Sequence, residues 1–557
     1  MNAIMKNTPL QLLSLFIVLC TTTLFAQDDC DEALTAVEFS ENQLEQFTLQ
    51  GYGLLDEGLR TRLYSEDSTL VNVVFASSLW IGGETASGEE LMQSPTYGII
   101  GPRAIPGPLN PDDAQPFTDV CQAFDRFWFM TSSNLALFLE DFQDNGVLDN
   151  EHLQVMSWPG RSNPFSLQFN GIELPDVPLA PFVDHDGDGL YNPAMGDYPQ
   201  VKGDQIMWWM YSTPGVFPLQ YSNTCYAFAE DLEAGVLDKT VYFELSITSF
   251  LEEPIVNTRT ALFVDADIGC YTDDYVGCFP EANLAFAYNK DAVDGLADST
   301  CIGGVARFQE EIPVLGIKLL EGPVSDLGEP IEMTSFSAYV SNGVGSPPPQ
   351  ITKPNNFFEF YNYLSGLWRD GTPYTIGDLG YSGTETTSYL YPGNPANDEE
   401  WSLCSINGPT LDYRMLLGSG DFQFDPGETI HLGYAFFLSD GYTLPCPDLS
   451  ALMDDCSRIM DKYQQLTAAT WEVMEVSTLH AFPNPTTGNC RISLENKDDL
   501  LQDMALFNSV GKRVINQSNI GHNQVDLPMQ HLPKGIYYYQ IQTKNHRLGS
   551  GKIILTR

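Results

Sequence analysis

Positively charged residues are scarce in this chain of 557 residues, which has 26 lysines and arginines against 74 aspartates and glutamates. Its formal net charge is −48. Nucleic acids and anionic membrane surfaces repel such a chain, so neither is an expected partner. A strongly acidic surface instead favours solubility and the binding of cations.

Motifs of common catalytic centres are also absent. The sequence contains no Gly-x-Ser-x-Gly, no His-Glu-x-x-His, no Walker loop and no Cys-x-x-Cys. Only three histidines, His152, His185 and His431, lie between residues 27 and 479, which leaves few zinc ligands and few general bases. We therefore predict no catalytic residues. The alternative is a glycosidase with two carboxylates, because acidic pairs are abundant, although no pair stands out by position.

Long apolar runs are confined to the N-terminus. Lys6 precedes an apolar run from Leu10 to Leu19, and small residues then lead to a predicted cleavage site after Ala26. The run is too short to span a bilayer comfortably. Residues 1–26 are therefore predicted to be a signal peptide, and the mature chain is expected to be exported, either soluble or attached to a surface.

Export permits disulfide bonds, and ten of the eleven cysteines follow the predicted signal peptide. The shortest separations are those between Cys270 and Cys278 and between Cys446 and Cys456. Connectivity does not follow from sequence alone. Of the available pairs, we expect Cys270–Cys278 to form.

Hydrophobic patterning indicates β-structure along most of the chain. Between Thr240 and Phe250, apolar and more polar side chains alternate, which is typical of a half-buried antiparallel strand. The clearest helix runs from Asp448 to Thr467, and Ser133 to Phe142 is a candidate for another. The predicted fold class is all-β, with multi-domain β-sandwiches, long loops and one short helix before a C-terminal immunoglobulin-like sandwich.

An acidic loop between Asp184 and Pro199 is the best candidate for a binding site. Its aspartates alternate along the chain, and Gly189 permits the sharp turn that an oxygen cage around a hard cation needs. The twelfth position is Met195 and not glutamate, so a later aspartate is expected to complete the site. The predicted metal ligands are Asp184, Asp186, Asp188, Asn192 and Asp197.

This loop is similar to the calcium loops of thrombospondin type 3 and dockerin modules, which implies calcium as the cofactor. A solvated acidic turn is the alternative. A second, weaker candidate calcium site consists of Asp265, Asp267, Asp273 and Asp274. Its alternative is a polar loop whose aspartates cap local turns.

Tryptophan is present only before the last 78 residues of the chain. Trp208, Trp209, Trp368 and Trp401, together with tyrosine-rich loops, are candidates for a sugar-binding platform. Packing in a core is the more common role of tryptophan, and it is the favoured interpretation here.

The last 78 residues, 480–557, carry several motifs in a characteristic order. They are Phe482-Pro483-Asn484-Pro485, Leu506-Phe507-Asn508, Asp526-Leu527-Pro528 and Leu532-Pro533-Lys534-Gly535-Ile536-Tyr537. This segment resembles the type A C-terminal sorting domain of the type IX secretion system. The resemblance implies recognition by the outer-membrane translocon and sorting machinery, later removal of the tail, and anchoring of the body to surface lipopolysaccharide as one outcome.

The body resembles a family as well. Its landmarks include Ser78-Leu79-Trp80-Ile81-Gly82-Gly83, the acidic loop, and Tyr271-Thr272-Asp273-Asp274-Tyr275. They are similar to landmarks of large exported proteins that carry the same tail and have no assigned activity. This second resemblance supplies no mechanism.

These features predict five segments of the chain. They are a signal peptide at 1–26, an N-terminal β-rich region at 27–180, a central β-sandwich region with the acidic loop at 181–447, a helix and linker at 448–479, and a sorting domain at 480–557. We expect a protein on the outer cell surface or outside the cell, whose body is a calcium-stabilised structural, adhesive or binding module for extracellular glycan or protein. The alternative is a secreted glycosidase-like hydrolase, which a deep cleft with carboxylates about 5–9.5 Å apart would favour.

Deletion of residues 480–557 tests the predicted role of the tail. Because the sorting signal would be lost while the body keeps its own core, we expect a folded body that accumulates in the periplasm. Cell fractionation and surface proteolysis measure this. Normal surface display of the truncated chain would contradict the prediction.

Overall fold

The computed structural model describes residues 36–39, 46–50, 55–61, 69–96, 104–228, 235–296, 300–309, 311–340, 351–471, 479–494, 500–508, 513–518, 520–543 and 548–556. The predicted signal peptide and residues 472–478 of the predicted linker lie outside these ranges. Within them, no helix combines the length and apolarity needed to cross a membrane.

Strands and helices follow one another along the whole described chain. The first part contains β1 (Ala36–Phe39), β2 (Gln46–Gln50), β3 (Leu55–Thr61), β4 (Val71–Thr85), β5 (Glu90–Gln93), β6 (Ile105–Pro106), β7 (Trp128–Thr131), α1 (Ser132–Asn145), α2 (Leu153–Ser157), α3 (Ser166–Asn170), β8 (Phe182–Val183) and β9 (Tyr198–Pro199). The middle part contains β10 (Gln205–Thr213), β11 (Leu219–Ala227), β12 (Thr240–Ser249), β13 (Ile255–Ala266), β14 (Asp274–Phe279), β15 (Leu284–Asn289), β16 (Val314–Glu321), β17 (Ser335–Val340), α4 (Phe357–Leu364), β18 (Tyr374–Thr375), β19 (Thr386–Thr387), β20 (Tyr413–Phe424), β21 (Thr429–Ser439) and α5 (Ser450–Trp471). The tail contains β22 (Leu479–Phe482), β23 (Asn489–Leu494), β24 (Leu501–Asn508), β25 (Arg513–Ser518), β26 (Gln524–Pro528), β27 (Gly535–Thr543) and β28 (Leu548–Leu555).

Two large sheets form the body. One has eight strands in the order β1-β2-β3-β4-β13-β20-β17, with β5 beside β4. The other has nine strands in the order β14-β15-β16-β21-β12-β11-β10-β6, with β7 beside β10. The long central strands pair antiparallel, as in β4 with β13 and β12 with β21. The predicted all-β fold class is confirmed.

One large cluster of buried apolar side chains, from Leu59 to Tyr463, fills most of the described body, and Ile105 with Cys121 forms a small second one. Strand β4 pairs with β13, and β7 pairs with β10, so strands from both sides of the predicted boundary at residue 180 share each sheet. Both predicted β-rich regions therefore contribute to the same core in the described chain.

The alternating strand predicted at residues 240–250 is present as β12. Its apolar positions are buried, whereas Glu244, Ser246 and Thr248 are partly exposed. Tyr242 is the exception on the polar face, since it is buried and stacks on Tyr226 with ring centroids 4.9 Å apart. Strand β12 thus has one core face and one largely polar face.

Both predicted helices are present, and the structure adds three more in the described chain. The first of the two is α1, where the Thr131 hydroxyl accepts a hydrogen bond from the backbone N–H of Asn134 at 3.1 Å and caps the helix. In α5, Leu452 and Ile459 are buried against the body, as is Leu449 just before the helix. The added helices are α2, α3 and α4, which are short and lie in the long connections between strands.

The predicted disulfide between Cys270 and Cys278 is wrong, because Cys270 has a different partner. Cys270 bonds to Cys301, and Cys446 bonds to Cys404, while Cys278 and Cys456 are buried free thiols. Cys278 lies in β14, a strand whose residues are all buried, and its thiol contacts the carbonyl of Leu390 in the core. Closeness in sequence therefore did not identify either partner.

The tryptophans named as a sugar platform are core residues. Trp208, Trp209 and Trp368 are at most 1% exposed, and Trp401 is 9% exposed. Their rings pack on other aromatic side chains, as in the contact of Trp208 with Trp128 at 5.4 Å between centroids. The favoured interpretation of core packing applies to all four.

The tail forms its own two-sheet sandwich around a separate core. Its sheets have the orders β22-β23-β26 and β25-β24-β27-β28. The Asn484 side chain accepts a hydrogen bond from the N–H of Ile554 at 2.9 Å and donates to the carbonyl of Lys552 at 2.7 Å. The Pro-Asn-Pro motif at the start of the tail is thereby attached to its last strand.

Peptide mapping without reduction tests the disulfide pattern. We expect linked peptides that contain Cys270–Cys301 and Cys404–Cys446, and alkylation of Cys278 and Cys456 only after unfolding, because both thiols are buried. The reduced sample is the control. A linked Cys270–Cys278 peptide would contradict the structure.

Candidate functional site

The acidic loop lies between the short paired strands β8 and β9. Asp184 accepts hydrogen bonds from the backbone N–H groups of Gly187 at 2.7 Å and Gly189 at 2.8 Å, one on each carboxylate oxygen. Both glycines have positive φ, 78° and 79°, a conformation that side-chain-bearing residues seldom adopt. The sequence therefore folds this segment into a tight turn around the first aspartate.

Three carboxylates of the loop converge. Asp184, Asp186 and Asp188 each offer an oxygen within 4.8 Å of the others, and the last two residues are exposed. Calcium–oxygen distances near 2.4 Å allow two ligands of one ion to be up to about 4.8 Å apart. The three aspartates therefore have the spacing of a cation cage that is open to solvent.

The other two predicted ligands hold the backbone of the loop. Asp197 is fully buried and accepts hydrogen bonds from the N–H groups of His185 and Asn192, both at 2.7 Å. The Asn192 side chain accepts from the N–H of Ala194 at 3.2 Å. Burial raises the pKa of Asp197, and the nearby charges of Asp184 and Asp186 raise it further. The structure thus groups the first three predicted ligands and places Asn192 and Asp197 as supports.

The second predicted acidic site separates into two groups. In the first, Asp265 and Asp267 are joined by Asp412, with one oxygen of each within 4.8 Å of the others. Sequence reasoning missed Asp412 because it precedes β20, far along the chain. Only the pairing of β13 with β20, which places Asp265 opposite Arg414, brings it there.

Arg414 is the cation in contact with this group. Its guanidinium lies 3.2 Å from Asp265 and also contacts Asp412. Burial raises the pKa of Asp265 to about 7 even though Arg414 opposes the rise. Burial likewise raises the pKa of Asp267 well above its ordinary value, and the neighbouring Asp265 adds to this.

The second group holds loops together through backbone hydrogen bonds. Asp273 accepts from the N–H of Gly295 at 2.6 Å, and Asp274 accepts from that of Ile268 at 2.8 Å. Asp294, which the sequence analysis did not single out, accepts from Cys270 at 2.9 Å and from Phe308 at 2.6 Å. The Cys270 and Cys301 sulfurs beside Asp294 are joined in a disulfide, so they are not available as metal ligands.

The described body also contains a cleft of about 990 Å³ over the polar face of β11, β12 and β21. Polar side chains of neighbouring strands form its floor, and α5 forms one wall with Met460, Tyr463 and Gln464. Gly433 lets this helix approach closely, because a Cβ there would lie 3.1 Å from the Tyr463 hydroxyl oxygen. No sequence motif marked this cleft.

Three carboxylates line the cleft, Glu244, Glu321 and Glu332, and the first two have hydrogen-bond partners. Glu244 accepts from Lys202 at 2.5 Å and from the Tyr226 hydroxyl at 3.1 Å. Glu321 accepts from the Tyr463 hydroxyl at 2.6 Å. Across the floor, Ser246 and His431 are hydrogen-bonded at 2.9 Å. The cleft thus offers an organised set of hydroxyl, amide and carboxylate groups.

Comparison with known proteins identifies the tail. Residues 480–556 match the family described as the secretion system C-terminal sorting domain. The tail is therefore a type IX secretion sorting domain, as the motif order indicated, and the protein is exported to the cell surface or the extracellular space. The sorting domain implies an interaction with the type IX secretion machinery.

Similarity of the body to known proteins is low. A search of curated proteins finds no match. Among solved structures, a polysaccharide lyase is similar over 62% of this chain and 35% of its own, with 10% identity and a TM-score of 0.19. The chain thus spans about a third of that lyase's length, and a similarity at this level carries no functional argument.

Proposed function

We propose that the exported body is a calcium-stabilised module that binds a neutral extracellular glycan in the cleft above β11, β12 and β21. After removal of the tail, the body is held at surface lipopolysaccharide or released. The cleft carries the glycan part of the proposal, because it is large and combines rows of polar side chains on the strands with more extensive apolar surface around them. A ligand with many hydroxyl groups matches such a floor.

Strand register explains why the floor presents polar groups in rows. Ser246 lies opposite Ser222 on β11 and opposite His431 on β21, and Thr248 lies opposite Gln220 and Thr429. Alternate residues of each strand point to the same face, so these side chains all face the cleft. The strongly negative chain disfavours anionic polymers, which leaves neutral glycans as the expected ligands.

The partners of the carboxylates favour binding over hydrolysis. A glycosidase needs one carboxyl group that protonates the leaving oxygen and a second that attacks or activates water. In this cleft, Lys202 and Tyr226 engage Glu244, and Tyr463 engages Glu321. These contacts fix Glu244 and Glu321 as hydrogen-bond acceptors, a role suited to holding sugar hydroxyls, whereas the third carboxylate of the cleft, Glu332, is exposed.

A Ser246→Trp variant tests the cleft. The large ring should fill the floor, so we expect at least a tenfold loss of glycan affinity, about 1.4 kcal/mol. The matched control is Asp112→Trp, an exposed position that does not line the cleft. Glycan-array screening followed by calorimetry on the wild type and both variants measures the effect.

Two outcomes would contradict the binding proposal. Equal affinity of the Ser246→Trp variant and the wild type would show that any glycan binds elsewhere. Cleavage of a glycan by the wild type, lost in both Glu244→Gln and Glu321→Gln variants, would favour the hydrolase instead.

We also propose calcium at Asp184, Asp186 and Asp188. Three carboxylates this close repel one another, and a divalent cation removes that repulsion. The exposed, incomplete ligand set predicts weak binding, with a dissociation constant of roughly 10⁻⁴–10⁻³ M. Such affinity suffices outside the cell, where it would make the loop rigid after export.

Thermal unfolding across a calcium titration tests this loop. At about 100 times the dissociation constant, binding stabilises the folded state by about 2.7 kcal/mol. We expect a rise in Tm in the millimolar range for the wild type and a smaller rise in an Asp186→Ala variant. A titration curve unchanged by the substitution would show that the loop is only an acidic turn.

A further inference from the structure

We propose that Asp265, Asp267 and Asp412 bind one hard divalent cation, of the calcium type, inside the body. The site is separate from the exposed loop at Asp184 and does not depend on it. Asp265 lies at the end of β13, Asp267 directly follows that strand, and Asp412 directly precedes β20. One oxygen from each lies within 4.8 Å of the others, a spacing compatible with a shared ion.

With all three aspartates ionised, the charges of this group do not balance without a cation. The three carboxylates would then carry −3, and Arg414, which contacts Asp265 and Asp412, supplies +1. The remaining −2 is placed where Asp265 is 1% exposed and Asp412 is buried. Buried charges normally occur in pairs or on metals, and one divalent ion would neutralise this group.

Unused oxygens in the same place point to a ligand. Asp265 Oδ1 and Asp267 Oδ1 accept no hydrogen bond within the described structure, although both atoms are buried. Asn72 Oδ1, on the neighbouring strand β4, is also buried without a partner, while the Asn72 side chain hydrogen-bonds to Asp267. Buried oxygens are rarely left unpaired, and carboxylate and amide oxygens are the ligands that calcium prefers.

The remaining aspartates of the region hold backbone N–H groups. Asp273 and Asp274 each accept one such hydrogen bond and leave their second oxygen buried without a hydrogen-bond partner, and Asp294 accepts on both oxygens. They shape the loop that follows β13 and lie outside the group of three. The proposed ligand set therefore keeps Asp265 and Asp267 from the sequence prediction and adds Asp412.

An ion at this position would join three long strands of the eight-stranded sheet. β13 pairs with β4 on one side and with β20 on the other. Asn72 lies in β4, Asp265 lies in β13, and Asp412 directly precedes β20. Because the ligands come from distant parts of the chain, the unfolded chain has no such site. Binding would therefore stabilise the folded body.

Metal content tests the proposal directly. The purified full chain is equilibrated with about 1 mM calcium, near the level used by extracellular modules, then desalted and assayed by mass spectrometry of the elements. We expect about one equivalent of calcium to stay with the wild type, since a buried ion exchanges slowly. Fewer than about 0.1 equivalents would overturn the proposal, whatever the variants do.

Substitutions assign the ion to these residues. Asp267→Asn and Asp412→Asn should lose the retained calcium, with circular dichroism as the check on folding. Asp186→Ala, which alters only the exposed loop, should retain it. Retention in folded Asp267→Asn or Asp412→Asn protein would overturn the ligand assignment.

The same variants separate the two calcium proposals. Asp186→Ala protein should still melt at a lower temperature in chelator than in calcium, because the buried site remains. Suppose that the Asp186→Ala protein melts at the same temperature in chelator and in calcium, while the wild type is stabilised by millimolar calcium. The exposed loop then binds calcium and the buried group does not, for example because its carboxylates share a proton instead.

Discussion

The pairing of β13 with β4 on one side and β20 on the other is the constraint on which much of the body depends. This pairing joins residues near the start of the described chain to residues more than 300 positions later. It buries the apolar faces of three long strands in the common core. It also brings Asp265, near the end of β13, against Arg414 in β20 and close to Asp412 just before that strand.

The second sheet differs from the first in having a largely polar face on its central strand. Its strand β12 buries one face and leaves Glu244, Ser246 and Thr248 partly exposed on the other. Helix α5 packs over one side of that polar face, because Gly433 leaves room for Tyr463. The result is a walled cleft on the polar face of the sheet, and side chains held in this way would need little further ordering to bind the proposed ligand.

The tail is an independent structural unit with its own core and its own task. Its net charge is positive, with nine lysines and arginines against five aspartates and glutamates, whereas the rest of the chain is strongly acidic. The hydrogen bonds of Asn484 to β28 connect the first motif to the last strand. That closure explains physically why the motifs occur at both ends of the segment.

The sequence by itself determined the β-rich class, the helix before the tail, the sorting domain and the convergence of Asp184, Asp186 and Asp188. Each of these depends on local spacing: alternation in strands, helical periodicity, motif order, and a turn within five residues. Only the tertiary structure decided the disulfide partners, the membership of Asp412 and the existence of the cleft. These features depend on which strands pair and in which register. Pairing between distant segments of the chain is determined by the burial of the whole core, and no short stretch of sequence predicts it. Cys278 is the simplest example of what only the tertiary structure decided. It is close to Cys270 along the chain, but it is buried in β14 as a free thiol.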